Sequence, residues 1–221
     1  MHSIGNLGVL ESKETVSNSY KTIDFGYYII YSLLTVLLIA VINPIVATAF
    51  GADKVLPLSS TLIICTLFYF NNIKILFNSF KAALGIYYYD RTRSIVSPIF
   101  NLLVSFILGR VWGFNGILAG TILTFFLIDL WAEPLIIFHK GFEKSVRKYL
   151  MTILGHLIIT AIIAIITHYI CTYLPKIGII AIISRGLVAL LTTIPIIYIV
   201  FRKHRNFKQT VLMLKKIILK K

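Results

Sequence analysis

Apolar positions along this chain gather into six long runs with few polar interruptions: Phe25 to Val46, Leu56 to Phe80, Ile95 to Leu108, Phe114 to Phe138, Tyr149 to Tyr173 and Ile177 to Phe201. A helix rising about 1.5 Å per residue needs about 17 to 25 apolar residues to cross roughly 30 Å of hydrocarbon. Ile95 to Leu108 is the short one, and Pro98, Asn101 and Ser105 interrupt it. It spans only with the help of Ser94 and Gly109 and with its polar face turned to protein instead of lipid. The expected fold is all-α, a polytopic membrane bundle of six transmembrane helices. Composition agrees: 58% of the residues are apolar and 14% charged, and the mean hydropathy is +0.89, outside the range of soluble domains.

The net charge of +14 would suit a nucleic-acid partner if the cations formed one patch. They sit instead at the ends of the apolar runs. With both termini cytoplasmic, the inner segments hold Lys13, Lys21, Lys81, Arg91, Arg93, Lys140, Lys144, Arg147, Lys148 and the cations of the tail from Arg202 to Lys221, whereas the outer turns hold only Lys54, Arg110 and Lys176. That asymmetry is the positive-inside signature and excludes nucleic acid as the expected partner, leaving the lipid bilayer of a bacterial cytoplasmic membrane. It also requires the short third run to span, because otherwise Lys140 to Lys148 would fall opposite Lys81 to Arg93.

Residues 1–24 read as a cytoplasmic connector, 25–138 as four transmembrane helices, 139–201 as a further helix pair and 202–221 as a basic tail. In the tail Phe207, Val211, Leu214 and Ile218 recur at helical spacing among lysines. Two readings stand for it: an amphipathic helix on the anionic inner leaflet, or a solvated tail that enforces topology. Tyr87, Tyr88 and Tyr89 beside Arg91 and Arg93 suit the headgroup region. No secretory leader is expected, since the first apolar run is too long for one.

Phosphate loops, zinc-protease helices, nucleophile elbows and paired-cysteine motifs are absent from the sequence, so no catalytic residue, metal ligand or cofactor is expected. Cys65 and Cys171 read as small buried hydrophobes. His156 and His168, on different faces of the fifth run, read as satisfied or interfacial histidines and not as a proton relay.

Polar groups at membrane depth carry more information, because a charge at the centre of a span costs about 2.5 to 3.5 kcal/mol. Asn71, Lys74 and Asn78 share a stripe that continues to Lys81; Ser97, Asn101 and Ser105 follow four apart; Asp129 and Glu133 lie one turn apart; and Arg185 sits in the sixth run. Counting rise per residue matches Lys74 in depth with Glu133, and Asp129 with Arg185. Either these groups are buried ion pairs that stabilise packing, or they line a hydrated cavity that passes an anionic group through the bilayer. Gly116 and Gly120 form a small-residue stripe that lets a neighbouring helix approach closely.

Several runs are familiar as a set. Ser3-Ile4-Gly5-Asn6 with Glu11-Ser12-Lys13-Glu14, Asn43-Pro44, Leu56-Pro57, the Phe80 to Asp90 stretch, Asn101-Leu102 with Ser105, Trp112-Gly113-Phe114-Asn115-Gly116-Ile117 through Gly120-Thr121, and Trp131-Ala132-Glu133-Pro134 leading to His139-Lys140-Gly141-Phe142 together resemble the polysaccharide repeat-unit flippases. These belong to the multidrug/oligosaccharidyl-lipid/polysaccharide exporter superfamily. The Trp-x-Glu-Pro form is most similar to capsule or exopolysaccharide flippases of Gram-positive bacteria. The resemblance implies two pseudo-symmetric bundles of helices that move undecaprenyl-pyrophosphate-linked oligosaccharide by alternating access. Lys74 and Arg185 would then be cationic groups for a pyrophosphate. It also implies roughly fourteen helices in a complete member, of which this chain matches the last six. The expectation is a truncated gene product, inactive alone, or a chain completed by a second one. A membrane polysaccharide polymerase or acyltransferase is the rival from the enzyme class, and an accessory membrane subunit the third reading.

Overall fold

The computed structural model describes residues 12–218. The stretches Ser3 to Asn6 and Glu11, used above, the side chains of Leu214 and Ile218, and residues 219–221 lie outside that description. Among the described residues there is no strand. Helix α1 spans Lys13–Phe50 and α2 Leu58–Ala83. Helix α3 spans Arg91–Thr124 and runs on through a π-helical turn at Phe125–Asp129, helix α4 at Leu130–Ile136 and a second π-helical turn at Ile137–Gly141. Helices α5 (Arg147–Cys171), α6 (Ile179–Phe201) and α7 (Arg205–Ile218) complete the chain.

Five helical stretches are long and apolar enough to cross a membrane, the third of them Tyr87–Gly141. Large apolar side chains point outward along them: Leu102 is 71% exposed, Leu191 71% and Ile180 75%. Water does not tolerate that much apolar surface on a monomer, and lipid does. The chain is therefore an α-helical membrane protein.

The stretch Tyr87–Gly141 is not one straight rod. Gly113 has φ 58° and ψ −137°, a conformation that costs an L-residue roughly 1–2 kcal/mol and glycine little. There the helix folds back on itself. Ser105 Oγ donates to the Ile117 carbonyl at 3.0 Å and Ser97 Oγ to Asp129 Oδ1 at 2.9 Å, pairs placed nearly symmetrically about Gly113. Residues 91–112 and 114–141 are thus two antiparallel limbs. Each is about 33 to 42 Å long at 1.5 Å per residue. The polar face of the weak third run meets the second limb, which is the condition its sequence set.

The chain divides into two compact units. Unit 1 takes the described residues up to Tyr20 together with Thr66–Leu154; unit 2 takes Lys21–Cys65 and the described residues from Gly155 onward. In unit 1 the Tyr20 ring, fully buried, packs against Phe80, Phe138, Phe142 and Tyr149 with centroids 4.7 to 5.8 Å away, and its hydroxyl donates to Tyr149 Oη at 2.7 Å. Residues 13–24 of the expected connector are helical, because Val16 and Tyr20, one turn apart, bury an apolar face despite their polar neighbours.

Unit 2 is built around Val36, Ala40, Val41, Ile163, Cys171, Ala189 and Ile197. Hydroxyl pairs cross between its helices: Ser32 with Thr160 at 2.8 Å and Thr167 with Thr192 at 2.6 Å. His156 is buried and stacks on Tyr28 with centroids 3.8 Å apart. Helix α7 folds back onto α1. Thr210 Oγ1 donates to the Thr22 carbonyl at 3.1 Å, and Thr22 Oγ1 to Gln209 Oε1 at 2.9 Å, while Phe207 and Val211 are half-buried and Arg205, Lys208 and Lys215 exposed.

Candidate functional site

Unit 1 assembles the charged groups that the sequence spread over three runs. From α2 come Lys74 and Lys81, seven residues apart on one face; from the short turn Tyr87–Asp90 before the first limb Asp90, and from that limb Arg93 and Ser97; from the second limb Asp129 and Glu133. Lys74 Nζ reaches Asp129 Oδ2 at 2.6 Å. Lys81 Nζ reaches Asp90 Oδ2 at 2.6 Å and Glu133 Oε2 at 2.8 Å. Arg93 joins all three carboxylates: Asp90 at 2.5 and 2.6 Å, Asp129 at 2.9 Å and Glu133 at 3.1 Å. The last is an ion-pair contact without hydrogen-bond alignment, since Glu133 Oε1 has no hydrogen-bond donor. Three cations and three carboxylates balance. Lys81 and Glu133 are fully buried, and burial at this depth is tolerable only for charges that are paired and hydrogen-bonded.

The local backbone serves this arrangement. The π-helical turn Phe125–Asp129 ends on Asp129, and such a widened turn rotates the residues after it relative to a regular helix. It delivers Asp129 to Lys74, Arg93 and Ser97 while Glu133, four residues on, meets Lys81. Gly116 and Gly120 face the first limb. A Cβ on Gly116 would stand 2.0 Å from the Leu108 carbonyl oxygen, and one on Gly120 2.7 Å from Ser105 Cα. The partner of this small-residue stripe is the other limb of the same hairpin.

Beside the network lies an open cleft of about 640 Å³. Asn71, Lys74, Ser97, Asn101, Ser105, Thr121, Thr124 and Asp129 form its polar lining, and Leu67, Phe70, Pro98, Leu102, Ile117 and Phe125 the apolar remainder. Six of the residues singled out from sequence, Asn71, Lys74, Ser97, Asn101, Ser105 and Asp129, therefore converge on one volume. Lys74 is the network's link to it: its side chain is 32% exposed, against 2% for Asp129.

Other expectations are corrected. Lys74 pairs with Asp129 and not with Glu133, because rise along the helix fixes depth but not which neighbour faces which. Arg185 belongs to unit 2, where its Nε donates to the Pro175 carbonyl at 2.9 Å and its Nη2 to the Leu174 carbonyl at 3.4 Å. Glu133 lies in the buried network and not on the cleft, and Asn78 is exposed, its carbonyl accepting from Tyr87 Oη at 3.1 Å. Sequence reasoning missed Arg93, counted only as an inner-segment cation, and Asp90, which it did not weigh as a charge. The i, i+3 spacing of Asp90 and Arg93 and the seven-residue step from Lys74 to Lys81 were the available signals.

No protein-family model, curated protein or solved structure matches this chain.

Proposed function

We propose that this chain is one side of a membrane transporter that moves a lipid-linked oligosaccharide across a bacterial cytoplasmic membrane. The observation that carries the reading is the convergence of Asn71, Lys74, Asn101, Ser105 and Asp129 on a single open cleft at membrane depth. Amide and hydroxyl groups suit sugar hydroxyls, and a lysine that can leave Asp129 suits a phosphate. Because the charge network is balanced, an arriving anion competes with Asp129 for Lys74 instead of entering an uncompensated positive site. Lys81, Arg93, Asp90 and Glu133 then hold the wall in place while Lys74 changes partner.

The same proposal includes six spans with both ends cytoplasmic. The reversal at Gly113 supports it, since it divides Tyr87–Gly141 into two limbs each long enough to span. The resemblance of the Trp112 to Thr121 and Trp131 to Phe142 stretches to capsule or exopolysaccharide flippases supports the substrate class, undecaprenyl-pyrophosphate-linked repeat units. Alternating access requires a second bundle facing this one.

Complementation tests the reading. The full chain is expressed in a strain lacking its repeat-unit flippase, with and without a chain carrying the other bundle, and surface polysaccharide is measured. Restoration by the wild type, with Lys74→Gln and Asp129→Asn inactive though inserted, is the expected result. Equal restoration by both variants overturns the role of the cleft. A correctly inserted wild type that restores nothing in either setting overturns transport and favours an accessory subunit.

A further inference from the structure

Unit 2 contains a second pocket, of about 420 Å³, beneath the turn that joins α5 to α6. His168, Lys176 and Arg185 line it, with Asn43 and Thr172 among the polar neighbours. None of its lining residues is acidic. Among the described residues of unit 2 the only carboxylates are Asp24 and Asp53; neither lines the pocket, and Asp53 is paired with Lys54 at 2.8 Å.

Among the described residues Arg185 is oriented without a carboxylate partner. The Pro175 and Leu174 carbonyls accept from Nε and Nη2, and no described residue accepts from Nη1. Asn43 Oδ1 accepts from Thr61 Oγ1 at 3.1 Å, so the amide nitrogen is the group Asn43 has left to offer. A guanidinium fork, an ammonium, an imidazole and an amide thus present donors to one volume that holds no opposing charge. Exposed Tyr169 and Tyr173, hydrogen-bonded to each other at 2.9 Å, flank the same turn and mark it as headgroup-level surface.

We propose that this pocket is a binding site for a phosphate-type oxyanion, coordinated principally by Arg185 and Lys176. Arginine matches such an anion with two parallel N–H donors, and charge-assisted bonds of this kind are about twice as strong as neutral ones. The anion has two sources of identical chemistry, the phosphodiester of an anionic lipid headgroup and free phosphate. The site is independent of the cleft in unit 1 and stands whether or not that cleft transports anything.

The test uses the full chain in nanodiscs of phosphatidylcholine alone or mixed equally with phosphatidylglycerol, and in detergent with inorganic phosphate. Native mass spectrometry reads retained lipid, and thermal unfolding reads phosphate binding. The wild type is expected to bind at least one probe, and Arg185→Gln and Lys176→Gln each to bind about tenfold more weakly, the equivalent of about 1.4 kcal/mol, with unchanged helix content by circular dichroism. Retained phosphatidylglycerol without a phosphate effect assigns the lipid headgroup, and the converse free phosphate. Arg205→Gln with Lys208→Gln in the tail should leave binding intact. No binding of either probe to the wild type, equal binding by Arg185→Gln and Lys176→Gln, or loss in the tail variant alone overturns the proposal.

Discussion

Lys81 Nζ lies 2.8 Å from Glu133 Oε2 with both side chains fully removed from solvent. The lysine has a second carboxylate in Asp90, at 2.6 Å, and the glutamate a second cation in Arg93. Their loss is therefore unequal. Lys81→Met leaves two buried carboxylates on a single arginine and should cost about 3–5 kcal/mol, the usual penalty for breaking a buried pair. Glu133→Gln keeps a polar group against Lys81, whose charge Asp90 still balances, and should cost about 1–3 kcal/mol. Unfolding in detergent, followed by tryptophan fluorescence, measures both. Equal midpoints for the two variants would contradict this ordering.

Water access to the cleft can be mapped with cysteines. In a background of Cys65→Ala and Cys171→Ala, Asn71→Cys, Asn101→Cys and Thr121→Cys are expected to react with a membrane-impermeant maleimide. Ile107→Cys, whose native side chain is 60% exposed on the apolar outer face of the first limb, should not react, because lipid excludes the reagent. A uniform response at all four positions would mean that the cleft is no wetter than the lipid-facing surface.

The hairpin predicts a graded series of glycine substitutions. Nothing lies within 4 Å of a Cβ at Gly113, so replacement there meets only the backbone conformation: φ 58° with ψ −137° lies outside the left-handed helical region that asparagine tolerates, so Gly113→Val and Gly113→Asn should each lose about 1–2 kcal/mol. Gly116→Ala instead drives a methyl group into the Leu108 carbonyl and should cost about 1–3 kcal/mol or more. Protease susceptibility of the reconstituted chain ranks the three.

Orientation follows from the cation distribution and the two limbs. Reporter fusions after Trp112 and after Lys176 should read as external, and fusions after Lys144 and Lys215 as cytoplasmic. A fusion after Trp112 on the same side as one after Lys144 would show that the hairpin does not cross.

The long helices are legible because lipid demands runs of apolar residues that no other environment tolerates. The cleft is legible for a related reason: Asn71 and Lys74, Asn101 and Ser105, and Asp129 are costly in hydrocarbon and must find one another. Their pairing is not. Depth counted by rise per residue matches Lys74 to Glu133, yet the π-helical turn at Phe125–Asp129 and the lateral position of α2 give Lys74 to Asp129. The helical start of α1 is equally hidden, because its apolar burial rests on Val16 and Tyr20 in a polar string.

Arg93, Asp129 and Glu133 stand on opposite limbs of the turn at Gly113. Without the second limb Arg93 would keep Asp90 alone as its partner, and without the first limb Asp129 and Glu133 would lose their arginine, each acid left unpaired in hydrocarbon costing about 2.5–3.5 kcal/mol. Held together by the reversal, the limbs set those acids against Arg93. The glycine turn thereby makes the two limbs a single unit in charge, in which each covers what the other would expose alone.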